Sequence, residues 1–114
     1  MAEKLHKWQS DFKLKDELLQ GDFEALEIAL FRLPNIATTF RRGDLSIVKG
    51  AYLRAAIQAG WIESPACRSM VDEEDAVYIY DGVDVDKLHP AKVNWLGSQV
   101  VARHDAVLGE DPKN

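Results

Sequence analysis

Residues 44–62, DLSIVKGAYLRAAIQAGWI, carry the signals from which the fold is predicted outward. Apolar residues recur there at helical spacing, which predicts a helix over residues 45–59. Gly60 stands where a left-handed residue ends many helices, and Trp61 follows it as in a Schellman ending. The inner face of the helix comprises Val48, Ala51, Tyr52, Ala55 and Ala59. A second, weaker apolar stripe comprises Leu53 and Ile57. Small residues on the inner face allow another helix to pack closely, because the interaxial distance depends on the side chains at the contact.

Two further helices are predicted, one before and one after this stretch. The first covers residues 22–33, with Asp22 as a candidate N-cap and Pro34 to end it. Apolar side chains cover so much of its girth that we expect it to be central. The second covers residues 90–108, and Pro90 opens it because the fixed φ of proline suits the first turn. The inner face of this last helix is predicted to comprise Val93, Leu96, Val100, His104, Val107 and Leu108.

A β-hairpin is predicted over residues 76–86. Two short runs rich in β-branched and aromatic residues are separated there by Asp81 and Gly82, a dipeptide that favours type I′ turns because both turn positions need a positive φ. An isolated hairpin is marginal in water, so we expect one of its faces to pack on a helix. The preceding residues 63–75, ESPACRSMVDEED, are predicted to be a polar connector.

The N-terminal residues 8–21, WQSDFKLKDELLQG, are predicted to be a short extended piece that runs into a short helix ending at Gly21. Together the elements predict a single α+β domain over residues 1–114, mainly α, with three principal helices and one β-hairpin. The helices are expected at about 22–33, 45–59 and 90–108, and the hairpin at about 76–86. The N-terminal segment 1–10 and the C-terminal tail 109–114 are candidates for flexible ends.

The composition is that of an ordinary globular protein, with 46% hydrophobic and 29% charged residues in a chain of 114. Cys67 is the single cysteine, so no internal disulfide can form, and a lone cysteine without a local signature usually serves packing. The first residues, MAEKLHKWQSDF, lack the apolar region of a signal peptide, and no apolar run approaches the roughly 20 residues that cross a bilayer. We therefore expect a soluble intracellular protein that has no membrane partner.

The formal net charge of −5 is unevenly distributed along the sequence. Between residues 32 and 54 the basic side chains are Arg32, Arg41, Arg42, Lys49 and Arg54, and the single acid is Asp44. Between residues 72 and 86 there is no base, and the acids are Asp72, Glu73, Glu74, Asp75, Asp81, Asp84 and Asp86. One interpretation is two solvated faces that attract each other within the fold. The other is a contact between copies, or with a partner, that is steered by complementary potentials.

Catalytic chemistry is sparse in this sequence. Asp84 and Asp86 can share one face of a strand, but the glycine of the acidic turn precedes them, unlike the glycine of a calcium-binding EF-hand loop. His6, His89 and His104 stand singly, without further ligands at metal-binding spacing. We expect His89 to shape the local structure at a helix start and His104 to be a core histidine. No catalytic residue, metal site or cofactor is predicted, and the chain is not expected to be an enzyme.

Trp95 raises the question of an interaction surface. On a helical wheel of about 100° per residue it lies nearly opposite the inner face of its helix, together with Ala102 and Ala106. Either these three residues are covered by the chain's own N-terminal segment, which supplies Trp8 and Phe12, or they remain open as a docking stripe. The exposure of Trp95 in a monomer distinguishes the two alternatives.

A winged-helix-like DNA-binding protein is an alternative interpretation of the same elements, because two helices followed by a hairpin have that order. The basic residues that would meet phosphate are Arg41, Arg42, Lys49 and Arg54. The acidic residues of the hairpin, which would form the wing, are Asp81, Asp84 and Asp86. Since the DNA backbone would repel such a wing, nucleic-acid binding is the less favoured function.

Residues 81–114, DGVDVDKLHPAKVNWLGSQVVARHDAVLGEDPKN, combine an Asp-Gly turn, an acidic-hydrophobic stretch, a proline-started helix and a polar end. The helix carries a Val-x-Trp-Leu-Gly core, which comprises Val93, Trp95, Leu96 and Gly97. The polar end comprises Pro112, Lys113 and Asn114. In these features the segment resembles the C-terminal ends of small assembly proteins of tailed bacteriophages and prophages, including tail assembly chaperone-like proteins.

This resemblance implies a non-enzymatic factor that is made in the host cytoplasm and can be incorporated in the virion. Its partners would be phage structural proteins, such as the tape measure protein or tail proteins, and it would be able to self-associate. The resemblance covers roughly the last third of the chain, and no functional residue is carried over from it. Its expected mode of action is protein–protein interaction.

Overall fold

The computed structural model describes residues 5–33 and 45–109. These residues form three longer helices, one short helix and two small antiparallel sheets. The elements are, in chain order, α1 (Lys7–Asp11), β1 (Lys13–Leu14), α2 (Gln20–Phe31), α3 (Leu45–Ala59), β2 (Ile62–Ser64), β3 (Cys67–Val71), β4 (Ala76–Tyr80), β5 (Val83–Asp84), a 3-10 helix (Val85–Lys87) and α4 (Pro90–Leu108). Strand β1 pairs with β2, and β3, β4 and β5 form a second sheet in that order. The fold is therefore α+β and mainly helical, as predicted.

Helix α3 has the bounds predicted for it, and its ending is the Schellman motif expected at Gly60. Gly60 has a φ of +77°, which an L side chain rarely adopts. The Trp61 amide donates to the Ala56 carbonyl at 3.0 Å, and the Gly60 amide donates to the Ile57 carbonyl at 3.3 Å. These two bonds satisfy carbonyls that the helix end would otherwise leave unpaired.

Both faces of α3 are buried, so the helix lies between two parts of the core. One part comprises Phe23, Leu26, Ala29, Leu30, Ala51, Ala55, Ala56, Trp61 and Val100. The other comprises Leu53, Ile57, Tyr78, Tyr80, Val85 and Leu96. The prediction that Leu53 and Ile57 form a weaker stripe is wrong, because both side chains are buried toward the β3–β4–β5 sheet and α4.

The closest approach between α3 and α4 is at Gly97. A Cβ atom built on Gly97 would lie 2.1 Å from the carbonyl oxygen of Lys49 and 2.5 Å from its carbonyl carbon. Close helix packing was expected at the small residues of α3, but the residue that permits it here is a glycine of α4. Only hydrogen fits at this position, because real Cβ atoms do not approach other atoms so closely.

The predicted Asp81-Gly82 turn is confirmed, with φ values of +49° and +79°. The second arm of the hairpin is shorter than expected, because β5 ends at Asp84, whose side chain caps the 3-10 helix by accepting from the Asp86 amide at 2.8 Å. The register pairs Tyr80 with Val83. Pairing therefore stops where the chain turns into the 3-10 helix.

The prediction of a polar connector over residues 63–75 is wrong, because this segment contains β3 and the end of β2. Strand β3 pairs with β4 along its whole length, from Cys67 opposite Tyr80 to Val71 opposite Ala76. The two strands are joined by an acidic turn in which the Asp72 carboxylate accepts from two backbone amides. The sheet thus has three strands, with β4 in the middle.

Helix α2 begins earlier than predicted and runs through Gly21. Asp22 is not the N-cap; it lies in the first turn, where its carboxylate accepts from the Leu19 amide at 2.8 Å. The helix is also not central, because Ile28 and Phe31 are 55% and 68% exposed. The helix ends at Phe31, two residues before the predicted bound at residue 33, and Pro34 lies outside the described residues.

Helix α4 has the predicted bounds, and His89 shapes its start as expected. The Nδ1 atom of His89 accepts from the Ala91 amide at 3.1 Å. On the inner face Leu96 and Val100 are fully buried, whereas Leu108 is 65% exposed, contrary to prediction. Leu108 is the last residue of the helix and projects past the core.

Candidate functional site

The side of Trp95 that faces away from the core is covered by the N-terminal segment. The Trp8 ring meets the Trp95 ring edge to face with centroids 5.2 Å apart, and Phe12 meets it in the same way at 5.8 Å. Trp95 is half-buried as a result, but Ala102 and Ala106 are exposed. The structure thus brings together three of the five predicted interface residues, and the predicted stripe is covered only at its Trp95 end.

Residues that follow this aromatic contact attach the N-terminal segment to the body of the protein. Lys13 and Leu14 pair with β2, and the Lys15 amide donates to the Trp61 carbonyl at 2.9 Å. The guanidinium group of Arg103 donates to the carbonyl oxygens of Lys15 and Asp16, at 3.1 and 2.5 Å. Charge-assisted bonds of this kind are stronger than neutral ones.

His104 lies among aromatic rings, in agreement with the expectation of a core histidine. The centroids of Phe23 and Tyr52 are 5.4 and 5.8 Å from that of its ring, and Trp61 stacks on it at 6.3 Å. Its Nδ1 atom lies 3.3 Å from a carboxylate oxygen of Asp105. His104 is thus held between aromatic rings and a carboxylate.

The thiol of Cys67 is poorly suited to nucleophilic chemistry. Burial raises the pKa of this thiol to about 11. A hydrogen bond from the Asp81 amide opposes the increase, and the negative charge of the Asp81 carboxylate adds to it. The sulfur lies 3.4 Å from the carbonyl oxygen of Pro65. Since the thiolate is the reactive form, the thiol is inert at neutral pH. Within residues 5–33 and 45–109, no group of three or more His, Cys, Asp and Glu side chains is arranged to hold a metal ion.

An acidic cleft of about 510 Å³ lies between the end of α2, α3 and the outer turns of the sheet. Its lining comprises Arg32, Leu33, Arg54, Val71, Asp72, Glu73, Glu74, Asp75, Ala76, Tyr78, Asp84 and Asp86. Six carboxylates and two guanidinium groups therefore face the same space. Two of the acids singled out from the sequence, Asp84 and Asp86, line it, whereas Asp81 lies in the turn at the other end of β4.

One contact joins the basic and the acidic segments of the sequence inside this cleft. A terminal guanidinium nitrogen of Arg54 lies 2.6 Å from a carboxylate oxygen of Asp86. This ion pair agrees with the interpretation that the two segments attract each other within the fold. The acidic turn at residues 72–75 is exposed. The Asp72 carboxylate accepts from the amides of Glu74 and Asp75, and the Asp75 carboxylate accepts from the Ala76 amide. The cleft therefore keeps an excess of negative charge that faces solvent.

An apolar patch on α2 adjoins the cleft. Ile28 and Phe31 are exposed one helical turn apart, and Arg32 lies one turn beyond Ile28 on the same side and lines the cleft. We call the combined feature the α2–cleft surface; it comprises Ile28, Phe31, Arg32, Leu33, Val71 and the acidic turn 72–75. This surface was not predicted, because a helix that is apolar over so much of its girth was expected to be central, whereas Ile28 and Phe31 are exposed.

The basic residues singled out for phosphate contact are not gathered on one described surface. Arg41 and Arg42 lie outside the described residues. Lys49 is half-buried where α4 crosses α3, and Arg54 is paired with Asp86. The sheet that would serve as the wing carries the exposed acidic turn 72–75, which the phosphate backbone would repel.

Comparisons of the chain with protein-family models, with curated protein sequences and with solved structures found no match. The resemblance of the last third of the chain to phage assembly proteins therefore stays a prediction. No helix in the described parts of the chain combines the length and the apolar character needed to cross a membrane.

Proposed function

We propose that this protein is a non-enzymatic assembly factor that acts by protein–protein interaction, and that its partner binds the α2–cleft surface. The resemblance of residues 81–114 to phage tail assembly proteins supports phage structural proteins as the partner class. An inert thiol and the aromatic setting of His104 are compatible with a protein that does no chemistry of its own. The binding surface itself carries the proposal.

The single observation behind the proposal is the exposure of Ile28 and Phe31 beside the acidic cleft. Phe31 is 68% exposed, although the opposite face of the same helix packs in the core. Aromatic side chains are enriched at the centres of protein interfaces, where they bury large apolar areas. An apolar pair with a charged rim has the general anatomy of a docking surface.

Charge complementarity defines the chemistry of the partner. Six carboxylates line the cleft, and of the two guanidinium groups there Arg54 is already paired with Asp86. A partner segment with lysine or arginine on one face and apolar residues on the other satisfies both parts of the surface. We infer that the occupant is a cationic amphipathic segment of a partner protein.

The binding test uses a synthetic helical peptide with leucine on one face and lysine on the other, titrated into the protein by calorimetry. We expect Phe31→Ala, and separately the double change Glu73→Lys with Glu74→Lys, to weaken binding about tenfold or more. Leu108→Ala and Glu17→Lys are the matched controls, because both residues are exposed and lie outside the surface. Equal binding by all variants would refute the assignment of the surface.

A second measurement addresses the alternative function and the class of partner. Retardation of duplex DNA at low salt would favour the winged-helix interpretation, and we expect none. Cross-linking mass spectrometry of the tagged chain, purified from cells that encode it, should join residues of the α2–cleft surface to a phage structural protein. If no cross-link joins the chain to a phage component, the assignment to phage assembly is contradicted. The result of the peptide titration is independent of that outcome.

A further inference from the structure

We propose that residues 5–12 form an N-terminal lid, which opens as a unit while the rest of the protein stays folded and uncovers the aromatic surface of Trp95 and Tyr80. The lid consists of Leu5, His6, the short helix α1 and Phe12. This inference concerns a different part of the molecule from the α2–cleft surface and does not depend on the proposed function.

The first observation is the way in which the lid is attached. Among the described residues, the hydrogen bonds of the lid join it only to itself: His6 bonds with Gln9 and Ser10, and Phe12 bonds with Gln9. Its contacts with the body are made by side chains, namely Trp8 and Phe12 on Trp95, Phe12 on Tyr80, and the Lys92 ammonium group over the Trp8 ring at 5.1 Å. Segments with few hydrogen bonds to the body open at the lowest free energies.

The second observation is the change in attachment at the next residues. Lys13 and Leu14 pair with β2, with an irregular register between the two, and Arg103 holds the carbonyls of Lys15 and Asp16. The chain is therefore fastened by backbone hydrogen bonds from residue 13 onward and by side chains alone before it. This boundary places the hinge of the lid at Phe12 and Lys13.

The third observation is the seam between the lid and the sheet. A cleft of about 350 Å³ runs there, lined by Lys7, Trp8, Asp11, Pro65, Tyr80 and Asp81. The Tyr80 side chain is 1% exposed, and its hydroxyl group is buried without a hydrogen-bond partner. A buried unsatisfied hydroxyl costs free energy that hydration recovers, so opening of the seam offsets part of the lost packing.

Opening changes which surface the protein presents. Trp95, Ala102 and Ala106 recur at helical spacing along α4, and the two alanines are already exposed. With the lid closed, Trp8 and Phe12 cover the aromatic end of this face. With the lid open, the face is continuous and carries a free tryptophan ring. The lid therefore controls access to the Trp95 end of this face.

The three tryptophans provide the test without any attached probe, because in the ¹⁵N-labelled chain each indole N–H gives its own signal in a ¹⁵N–¹H correlation spectrum. Trp8 and Trp95 report on the lid, whereas Trp61 is fully buried in the core and its indole donates to the Asp22 carbonyl at 2.8 Å. In a urea titration of the full chain, we expect the Trp8 and Trp95 signals to change together before the Trp61 signal does. A single transition common to all three would overturn the proposal.

A variant pair sharpens this test. Lys92→Gln removes the ammonium group from the Trp8 and Tyr80 rings, so it should raise the equilibrium constant for lid opening about two- to fivefold. Its effect should be confined to the Trp8 and Trp95 transition. Lys87→Gln, at an exposed residue of the 3-10 helix, is the control and should move neither transition. If Lys92→Gln shifts the Trp61 transition as much as the other one, the lid does not open independently.

Discussion

The indole rings of Trp8 and Trp95 meet edge to face, with their centroids 5.2 Å apart and their planes at 87°. Aromatic rings prefer this arrangement because the positive edge of one ring faces the negative face of the other. The contact joins the N-terminal segment to α4, whose tryptophan is half-buried beside the second part of the core. It decides whether that tryptophan is a packing residue or an open surface.

A double-mutant cycle measures this contact directly. We expect Trp8→Leu and Trp95→Leu to show a coupling free energy of about 0.5–1.5 kcal/mol in the total free energy of urea unfolding, lid opening included, because each change alone removes the same edge-to-face pair. Trp8→Leu combined with Leu108→Ala is the control, since Leu108 is an exposed residue at the far end of α4. A coupling as small as that of the control pair would contradict the contact.

Gly97, the single glycine of α4, should not tolerate a larger residue. Gly97→Ala places a Cβ 2.1 Å from the Lys49 carbonyl oxygen, so α3 and α4 must move apart, and we expect a loss of about 3 kcal/mol in the free energy of unfolding. Gly21→Ala is the matched control in α2, where a Cβ meets no atom within 4 Å. That change should stabilise the protein by about 0.5–1 kcal/mol, because alanine has the higher helix propensity. Equal effects of the two changes would contradict the close helix crossing.

The thiol of Cys67 should react slowly and with an unusual pH dependence. Its pKa is about 11, against an ordinary value of 9.0, because burial disfavours the thiolate. Alkylation by iodoacetamide should therefore accelerate about tenfold per pH unit from pH 7 to 10 without levelling off. The urea-unfolded protein should level off near the ordinary pKa. A plateau near pH 9 in the native protein would show that the thiol is not buried as described.

Asp22 should contribute to acid sensitivity. The Leu19 amide and then the Lys15 ammonium group lower the pKa of its carboxyl group below the ordinary value of 3.8. The carboxylate therefore stabilises the fold above that value, and this contribution is lost as the pH falls through the lower native pKa. We expect the urea midpoint of the native sequence to fall more between pH 7 and 3 than that of Asp22→Asn. Parallel curves for the two proteins would contradict the shift.

Local signals account for the parts of the fold that the sequence predicted well. The bounds of α3 and α4 follow from helical periodicity ended by Gly60 and begun by Pro90, and the type I′ turn follows from Asp81-Gly82. These signals act over a few residues, so tertiary packing leaves them unchanged. His89 at the start of α4 behaves in the same way.

Long-range packing decides the rest. The sequence of strand β3 looks polar because only alternate residues, Cys67 and Ser69, turn partly inward. The segment is a strand because it pairs with β4, and its own sequence carries no clear strand signal. Helix α2 was predicted to be central because apolar side chains cover much of its girth, but Ile28 and Phe31 face outward. The cover on Trp95 was one of two alternatives, and no local signal could choose between them.

The candidate site was only partly within reach of sequence analysis. The acidic segment 72–86 was recognised in the sequence, and the fold brings six of its seven carboxylates together with the end of α2 to form the cleft. The proximity of Arg32 and Leu33 to the acidic turn depends on how α2 packs on α3. Such a juxtaposition cannot be inferred from charge counts along the chain.

Chemical-shift mapping tests the central claim most directly, namely that the α2–cleft surface is where a partner segment binds. The cationic amphipathic peptide is titrated into the ¹⁵N-labelled full chain, and the backbone amides are followed residue by residue. We expect the perturbed amides to cluster at residues 28–33 and 71–76 and the affinity to fall as salt rises. Perturbations confined to α4, or none at all, would contradict the claim.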